Sequence, residues 1–287
     1  MIRLGIYEKA LRRAPWDDFF AQVAQAGFAF TDLSVDETDE RAARLGWSDA
    51  ECDRVRAAAQ RHDVQIGGLC LSLHRRVGPG SADPQTRRRA ATIFRQGIDR
   101  CARLGVPVLQ VAGYYAYYEP ADPGQRERYV ETLAEAARQA ALSGVLLGLE
   151  NVDGHDVTSI TQGLGICAEV GSPWLRLYPD IGNLAEQGLD TAGQLRAGAG
   201  QMVALHVKDV LPGVPRRVPL GAGVADFTGA FAELSRQRWS GRLMIELWND
   251  DAPDSVQRCL EARRKIEQWL DDAGLEVERR PGGKNDI

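Results

Sequence analysis

Four polar side chains stand where apolar runs end in the second half of the chain, and their types suit a divalent metal ion. They are Glu150, Asp180, His206 and Glu246. Burying a carboxylate at the end of an apolar run is costly unless a positive charge lies beside it. Three carboxylates and one imidazole form a hard, oxygen-rich ligand set that suits Mn²⁺, Mg²⁺, Co²⁺ or Zn²⁺ and argues against Cu(I) or an iron–sulfur centre. The alternative is four unrelated polar ends, but repetition on four successive runs favours one metal ion bound by all four residues.

A second polar group follows the third apolar run and suits a phosphate or a polyol. Ser72, His74, Arg75 and Arg76 stand within five residues and bring together a hydroxyl, an imidazole and two guanidinium groups. Guanidinium groups bind phosphate oxygens in a fixed, often bidentate geometry. We therefore predict that these four residues bind a substrate, rather than serving only as a solvated turn.

The stretch after His206 carries further cations. Lys208 comes first, and Arg216 and Arg217 precede a proline and two glycines that let the backbone approach a ligand closely. A surface turn is the alternative for the two arginines. A tyrosine-rich stretch that begins at Tyr114 follows the fourth apolar run, where it either walls a pocket or packs beneath its loop. Lys208, Arg216 and Tyr114 are therefore further candidates for substrate binding.

Eight apolar strand candidates alternate with helical stretches, and these elements must position the candidate residues. The strands are predicted at residues 3–7, 28–34, 64–72, 106–112, 145–151, 174–180, 202–208 and 242–247. The helices are predicted at residues 16–23, 49–62, 83–104, 124–143, 158–170, 190–198, 226–238 and 255–272. Continuous apolar strands that alternate with helices indicate parallel pairing through right-handed crossovers. Eight such units predict an α/β fold, the (β/α)₈ TIM barrel, whose active face is formed by the C-terminal ends of the strands.

One domain accounts for nearly the whole chain. An open doubly wound sheet is the main rival, but no glycine-rich phosphate turn follows the first strand. Neither a low-complexity linker nor a shift in composition divides the chain. We expect a single barrel domain over residues 1–272 and a flexible C-terminal tail over residues 273–287.

Composition argues against several classes of function. The formal net charge is −5, so no overall positive field attracts nucleic acid or anionic lipid. Signal-peptide character is missing at the N-terminus, and no apolar run approaches the roughly 18 residues of a membrane helix. The five cysteines are scattered and form no C-x-x-C pair, which is typical of reduced thiols. We therefore expect a cytoplasmic protein with a small-molecule substrate, and neither nucleic acid nor membrane as a partner.

Ten short stretches give the chain a family resemblance. They lie at residues 4–10, 33–37, 70–72, 74–76, 112–114, 171–174, 178–180, 182–184, 206–209 and 245–246. Together with the metal set they resemble the L-ribulose-5-phosphate 3-epimerases, also called L-xylulose-5-phosphate 3-epimerases, of bacterial L-ascorbate and related pentose pathways. That family lies within the xylose-isomerase-like TIM barrel superfamily. The resemblance extends over most of the chain.

The resemblance implies an activity and roles for particular residues. It implies a metal-dependent isomerase that interconverts L-xylulose 5-phosphate and L-ribulose 5-phosphate, with one divalent ion per subunit and a homodimeric assembly. Glu150 and Glu246 are implied to remove and return the C3 proton through an enediolate. Free-sugar 3-epimerases have a histidine shortly after the metal-binding aspartate, and Asn183 stands in that region here, which favours a phosphorylated substrate. Asn183 is therefore another candidate for substrate binding.

Other activities on the same barrel stay open. A metal-dependent aldose–ketose isomerase would use the same ligands and move hydrogen between C1 and C2, and a free-ketose 3-epimerase would need no phosphate site. A DNA-repair endonuclease would need more histidine ligands and a basic groove, which four histidines and a negative net charge disfavour. A non-catalytic sugar-binding protein would leave the paired glutamates unexplained.

Overall fold

Eight parallel strands form the central sheet of the computed structural model, which describes residues 1–278. They are β1 (Ile2–Tyr7), β2 (Phe30–Val35), β3 (Gln65–Leu71), β4 (Val108–Ala112), β5 (Leu146–Glu150), β6 (Leu175–Leu177), β7 (Ala204–Val207) and β10 (Gly241–Ile245). Two further strands, β8 (Asp209–Leu211) and β9 (Val214–Val218), form a separate hairpin between β7 and β10. Hydrogen-bonded neighbours run in the order β6-β5-β4-β3-β2-β1-β10-β7. Isolated bridges from Leu177 to Met202 and from Asp180 to His206 join β6 to β7 and close the ring. The predicted (β/α)₈ barrel is confirmed.

Helices surround this barrel. Within residues 1–278 they are α1 (Trp16–Gln25), α2 (Asp39–Ala42), α3 (Asp49–Arg61), α4 (Pro84–Leu104), α5 (Gln125–Ser143), α6 (Ile160–Val170), α7 (Ile181–Glu186), α8 (Thr191–Ala197), α9 (Phe227–Arg236) and α10 (Ser255–Asp272). The short helices α2 and α7 were not predicted, since neither is long enough to show a helical repeat of apolar residues.

Capping residues explain where the long helices begin and end. The Ser48 side chain accepts a hydrogen bond from the Glu51 amide, and the Glu51 carboxylate accepts one from the Ser48 amide, so a capping box opens α3. Asp83 caps α4, whose first residue is a proline. Three helices end in a glycine of left-handed conformation, at Gly105, Gly144 and Gly171.

Glycines on the strands leave room for the large side chains that fill the barrel. A Cβ atom on Gly5 would lie 2.3 Å from the Phe30 ring, and one on Gly67 would lie 2.4 Å from the same ring. A Cβ atom on Gly148 would approach Tyr178 to 3.0 Å. Phe30 and Tyr178 are both almost fully buried, so the lower barrel is a packed core rather than a channel.

The chain between β7 and α9 differs most from the prediction. Residues 202–208 were predicted as one strand, but β7 ends at Val207 and the following segment forms the β8–β9 hairpin, with Gly213 at φ 73° in its turn. The strand Val214–Val218 contains a proline and two arginines, so it lacks the apolar pattern of a buried strand. The sixth strand is also shorter than predicted, because Pro179 has no amide hydrogen to donate to a ladder.

The two ends of the described chain meet at the N-terminal end of β1. The Ile2 amide donates to the Glu276 carbonyl at 2.6 Å, and the Glu278 amide donates to the Ile2 carbonyl at 2.8 Å. Of the tail predicted at residues 273–287, residues 279–287 lie outside the described residues. Within residues 1–278, no helix combines the length and the apolar character required of a membrane span.

Candidate active site

The four predicted metal ligands converge at the C-terminal ends of their strands. Glu150 is the last residue of β5, Asp180 follows β6, His206 lies in β7 and Glu246 follows β10. One ligand atom from each residue lies within 4.8 Å of the others. Parallel strands of a barrel place their carboxyl ends on one face, which is why residues nearly a hundred positions apart meet. We call these four side chains the ligand cluster.

Glu150 is held on both carboxylate oxygens. Its Oε1 lies 2.7 Å from His206 Nδ1, and its Oε2 accepts a hydrogen bond of 2.5 Å from Gln110 Nε2. Burial lowers the pKa of His206, but the carboxylates of Glu150, Glu246 and Asp180 outweigh this effect and raise the pKa to about 9. The histidine therefore lies in a strongly negative environment, as a cation-binding cluster requires.

A network of amides fixes Asp180. Its backbone amide donates to Asn151 Oδ1 at 2.9 Å, and its carbonyl accepts from Asn151 Nδ2 at 3.0 Å. Asp180 Oδ1 caps α7 by accepting from the Asn183 amide at 3.0 Å, which leaves Oδ2 for the cluster. The Asn183 side chain donates to the Asn151 carbonyl at 2.8 Å, and its Oδ1 has no hydrogen-bond partner among residues 1–278.

Lys208 brings a positive charge into the cluster. Its Nζ lies 2.9 Å from Asp180 Oδ2 and 3.2 Å from Glu246 Oε2. Apart from these ion pairs with Lys208, neither oxygen has a hydrogen-bond partner among residues 1–278. Burial raises the pKa of Asp180, against the opposing effect of the Lys208 ammonium. Two buried carboxylate oxygens that meet only the Lys208 ammonium among residues 1–278, beside an imidazole and a third carboxylate, fit a divalent cation of the hard class.

The other side of the same cavity is cationic. Arg75 donates to the Tyr114 hydroxyl at 2.7 Å, and that hydroxyl donates to Asp153. The Asp153 carboxylate also pairs with Arg216 at 2.9 Å and lies 3.7 Å from Arg75. Burial raises the pKa of Asp153, but the Arg216 charge and the Tyr114 hydroxyl outweigh this effect and hold it below its usual value. We call Arg75 and Arg216 the arginine pair.

Asp209 holds the loop that supports Arg216. Its carboxylate is buried and accepts hydrogen bonds of 2.7–3.1 Å from four backbone amides, those of Val210, Gly221, Gly223 and Ala225. A Cβ atom on Gly223 would lie 2.2 Å from Asp209 Oδ1, so only glycine fits there. The carboxylate thereby ties the end of β7 to the segment that follows the hairpin.

Asp209→Asn is expected to destabilise the protein by about 1–3 kcal/mol, because the amide nitrogen replaces an acceptor and leaves two buried or partly buried N–H groups unpaired. Urea unfolding followed by circular dichroism measures this change. Asp190→Asn is the matched control, because Asp190 caps α8 through one exposed amide and asparagine caps equally well. Equal stability of the Asp209 variant and the control would contradict the assignment.

Six of the eight residues predicted to bind substrate line the cavity, together with Glu150, His206 and Glu246 of the cluster. They are Ser72, Arg75, Tyr114, Asn183, Lys208 and Arg216. Two others lie elsewhere. His74 is fully buried against Phe94, with Nε2 at 3.1 Å from the Ala90 carbonyl, and burial lowers its pKa to about 4. Arg76 is half exposed and donates to the Glu37 carbonyl.

Several lining residues were missed by sequence reasoning. They are Tyr7, Lys9, Gln110, Asp153 and Trp248. Gln110 lies in the middle of β4, where a polar residue in an otherwise apolar strand is a signal that could have been used. Asp153 and Trp248 lie in loops shortly after the predicted ligands and carry no comparable signal.

The comparison with known proteins gives the family. Residues 20–273 match the family model described as the xylose isomerase-like TIM barrel. The chain is 40% identical over 280 residues to the putative L-ribulose-5-phosphate 3-epimerase SgbU of Escherichia coli (strain K12). The aligned region covers 95% of this chain and 98% of that relative. It is 38% identical to the L-ribulose-5-phosphate 3-epimerase UlaE of Salmonella paratyphi C (strain RKS4594), over 96% and 97% of the two chains. This chain belongs to the xylose isomerase-like TIM barrel family. Both of these relatives are named as L-ribulose-5-phosphate 3-epimerases, one of them as putative, and the predicted resemblance is confirmed.

Solved structures of two 3-epimerases share the fold. A structure of an L-ribulose 3-epimerase superposes with a TM-score of 0.79 at 22% identity over 96% of each chain. The D-psicose 3-epimerase of Clostridium cellulolyticum H10, with D-tagatose, superposes with a TM-score of 0.77 at 18% identity over 93% of this chain and 99% of that chain. At these identities the likeness establishes the barrel, and function is argued from this chain's own residues.

Proposed function

We propose that the protein is a metal-dependent 3-epimerase that interconverts L-xylulose 5-phosphate and L-ribulose 5-phosphate. The observation that carries this proposal is the convergence of Glu150 and Glu246 on one cluster from well-separated strands. The strands β6 and β7 lie between β5 and β10, so β5 and β10 are three positions apart in the ring. Two strands of an eight-stranded ring can be at most four positions apart, so the two glutamates approach from nearly opposite sides of the barrel. The names of the relatives at 38–40% identity support the same substrate.

Two carboxylates that approach from different sides suit inversion at one carbon. When bound, a divalent ion supplies Lewis-acid stabilisation of the negative charge that develops on the substrate oxygens at C2 and C3. One glutamate removes the C3 proton, and the other returns a proton to the opposite face of the enediolate. The two glutamates exchange roles for the opposite epimer.

Neighbouring side chains orient the glutamates and the substrate. Gln110 holds the Glu150 oxygen that does not face His206, and Lys208 lies against Glu246. Asn183 lines the cavity, and no residue within 1–278 donates to its buried Oδ1, which would accept a substrate hydroxyl. Ser72 lies at the same wall and offers a further hydroxyl.

The arginine pair is the proposed phosphate site. Arg216 pairs closely with Asp153, whereas Arg75 lies 3.7 Å from Asp153 and 3.9 Å from Glu37, so neither carboxylate holds the Arg75 guanidinium at close range and it stays available to an anionic ligand. Lys9 also lines the cavity, but its charge is paired with Asp36 at 2.6 Å. The phosphate would therefore pair with Arg75 and Arg216, and the sugar chain would extend from there to the cluster.

Arg75→Gln and Arg216→Gln are each expected to raise KM for the ketose 5-phosphate by about tenfold to a hundredfold, since a charge-assisted hydrogen bond contributes about 1.5–3 kcal/mol. KM for the unphosphorylated ketose should change far less. Steady-state kinetics with both substrates measures the ratio.

Arg76→Gln is the control for these variants, because Arg76 neighbours Arg75 in sequence but lies outside the cavity. Its KM ratio should stay at the wild-type value. Equal effects of Arg75→Gln or Arg216→Gln on both substrates would mean that the arginine pair does not bind the phosphate.

Solvent deuterium separates the proposed epimerase from an isomerase on the same barrel. Incubation of the metal-loaded enzyme with the ketose phosphate in D₂O should place deuterium at C3 of the product, as read by NMR. Deuterium at C1 would indicate aldose–ketose isomerisation instead. Activity on the free ketose alone would favour a free-ketose 3-epimerase.

Three further properties belong to the same proposal. One divalent ion, Mn²⁺, Mg²⁺, Co²⁺ or Zn²⁺, would bind each subunit through Glu150, Asp180, His206 and Glu246. The subunits would form a homodimer, which analytical ultracentrifugation tests, and no nucleic acid partner is expected. A cytoplasmic location is proposed because the five cysteines are free thiols, as is usual in a reducing compartment.

A further inference from the structure

A buried carboxylate lies inside the barrel beside the ligand cluster and has no part in the function proposed so far. Asp32 is in the middle of β2 and is only 1% exposed. Its Oδ2 accepts a hydrogen bond of 2.7 Å from the Tyr178 hydroxyl. Its Oδ1 has no hydrogen-bond partner among residues 1–278. The charge of Arg242 offsets part of the cost of burying Asp32, but an unpaired carboxylate oxygen at this depth still requires an explanation.

The same is true of one nitrogen of His206. Nδ1 faces Glu150, while Nε2 is buried and has no hydrogen-bond partner among the residues described. A ring nitrogen of His206, a carboxylate oxygen of Asp32 and the sulfur of Cys70 lie within 4.8 Å of one another. Because Nδ1 already contacts Glu150, Nε2 is the nitrogen that remains for Asp32.

The barrel is shaped to hold Asp32 in this place. Cβ atoms on Gly67 and Gly68 would lie 2.6 and 2.9 Å from its two carboxylate oxygens, so the paired glycines of β3 make room for it. The Tyr178 ring packs edge-on against the His206 ring, with centroids 4.3 Å apart. One tyrosine thus orients the carboxylate through its hydroxyl and the imidazole through its ring.

We propose that Asp32 is a positioning residue for the metal ligand His206: its carboxylate accepts a hydrogen bond from His206 Nε2–H through one bridging water. A neutral imidazole carries one proton, so a proton held on Nε2 leaves Nδ1 free to bind the ion beside Glu150. Carboxylates in this role fix the tautomer and the ring orientation of metal-binding histidines, and their loss typically costs 10–100-fold in metal affinity. The inference rests on the metal site proposed above.

A second ion bound by Asp32, Cys70 and His206 is the competing explanation of the same three residues. It would require the one imidazole to bind two ions through both nitrogens. The two explanations differ in metal stoichiometry and in the role of Cys70, so Cys70→Ala serves as a control that leaves Asp32 and His206 in place.

The first test measures zinc affinity of the full chain by competition with a chelator, beside the melting temperature of the metal-free protein. Asp32→Ala should weaken zinc binding about 10–100-fold, and Asp32→Asn, whose amide oxygen still accepts a hydrogen bond, should weaken it less. Cys70→Ala should keep the wild-type affinity and one zinc per chain. If Asp32→Ala lowers the melting temperature but keeps the wild-type zinc affinity, Asp32 has a structural role only and the proposal is overturned. Two zinc ions per wild-type chain, with one lost in Cys70→Ala, would also overturn it.

The second test needs no variant of Asp32. Long-range ¹H–¹⁵N NMR of the zinc-loaded wild type should show a proton on Nε2 of His206 and zinc on Nδ1, with His206 assigned among the four histidines through the His206→Gln spectrum. Zinc on Nε2 would overturn the proposal even if the Asp32 variants fail to fold. Wild-type protein that binds none of Zn²⁺, Mn²⁺, Co²⁺ and Mg²⁺ would overturn the metal site itself, and the role of Asp32 with it.

Discussion

Replacement of Glu150 or Glu246 by glutamine is expected to lower the rate of net epimerisation by about 10²–10⁴-fold, the usual contribution of a positioned acid or base. Each turnover needs both groups, so either variant should lose net inversion. Proton exchange with solvent on one face needs only the remaining base. In D₂O, Glu150→Gln should therefore introduce deuterium at C3 of one epimer and Glu246→Gln at C3 of the other, without inversion.

The amide oxygen of glutamine remains a metal ligand, but metal content must be measured in both variants because a lost ion would mimic a lost base. Glu233→Gln is the matched control. Glu233 is also a buried glutamate, but it pairs with Arg196 and Arg236 outside the cavity. Near-normal turnover in one metal-loaded variant, or exchange of the same epimer in both, would exclude the two-base mechanism and leave a single shuttling base such as Lys208.

Removal of the other two cluster members is expected to release the metal ion. His206→Ala deletes one ligand, and Asp180→Asn replaces a charged oxygen while keeping the cap of α7. The affinity for the metal ion should fall by more than 10–100-fold, which is the typical loss when a residue that hydrogen-bonds to a metal ligand is replaced. At a metal concentration of 100 times the wild-type Kd, metal binding raises the free energy of unfolding of the wild type by about 2.7 kcal/mol. For a variant that binds the metal 100-fold more weakly, the same concentration raises it by only about 0.4 kcal/mol.

Thermal unfolding with and without the ion, beside metal analysis after dialysis, measures this difference. Arg76→Gln again serves as a control, and its gain in stability on metal addition should equal that of the wild type. Full metal stoichiometry in His206→Ala would exclude the ligand cluster as the metal site.

The barrel and the ligand cluster could be predicted from the sequence because both depend on local signals. Apolar runs that end in Glu150, Asp180, His206 and Glu246 are visible one at a time, and parallel pairing alone brings their ends together. Helix boundaries such as Gly105 follow from the same kind of local chemistry.

The wall opposite the cluster could not be predicted in the same way. Ser72–Arg75 forms one turn of 3₁₀ helix, in which successive side chains point about 120° apart. Arg75 therefore faces the cavity while His74 points into α4. From the sequence alone, both residues are predicted to bind the substrate. Asp153 meets Arg75 and Arg216 only because three separate loops are packed together, and no spacing in the sequence encodes that contact.

The pairing of Ile2 with residues 276–278 has a practical consequence for engineering. The hydrogen-bonded ends lie at the N-terminal side of β1, and the cavity opens at the opposite side of the barrel. A short peptide linker could join residue 278 to residue 1, and the chain could be opened afresh in an exposed connection on that same side, such as the one between α5 and β5. A circular permutant of this kind, or a surface-immobilised form attached there, would keep the substrate entrance unobstructed.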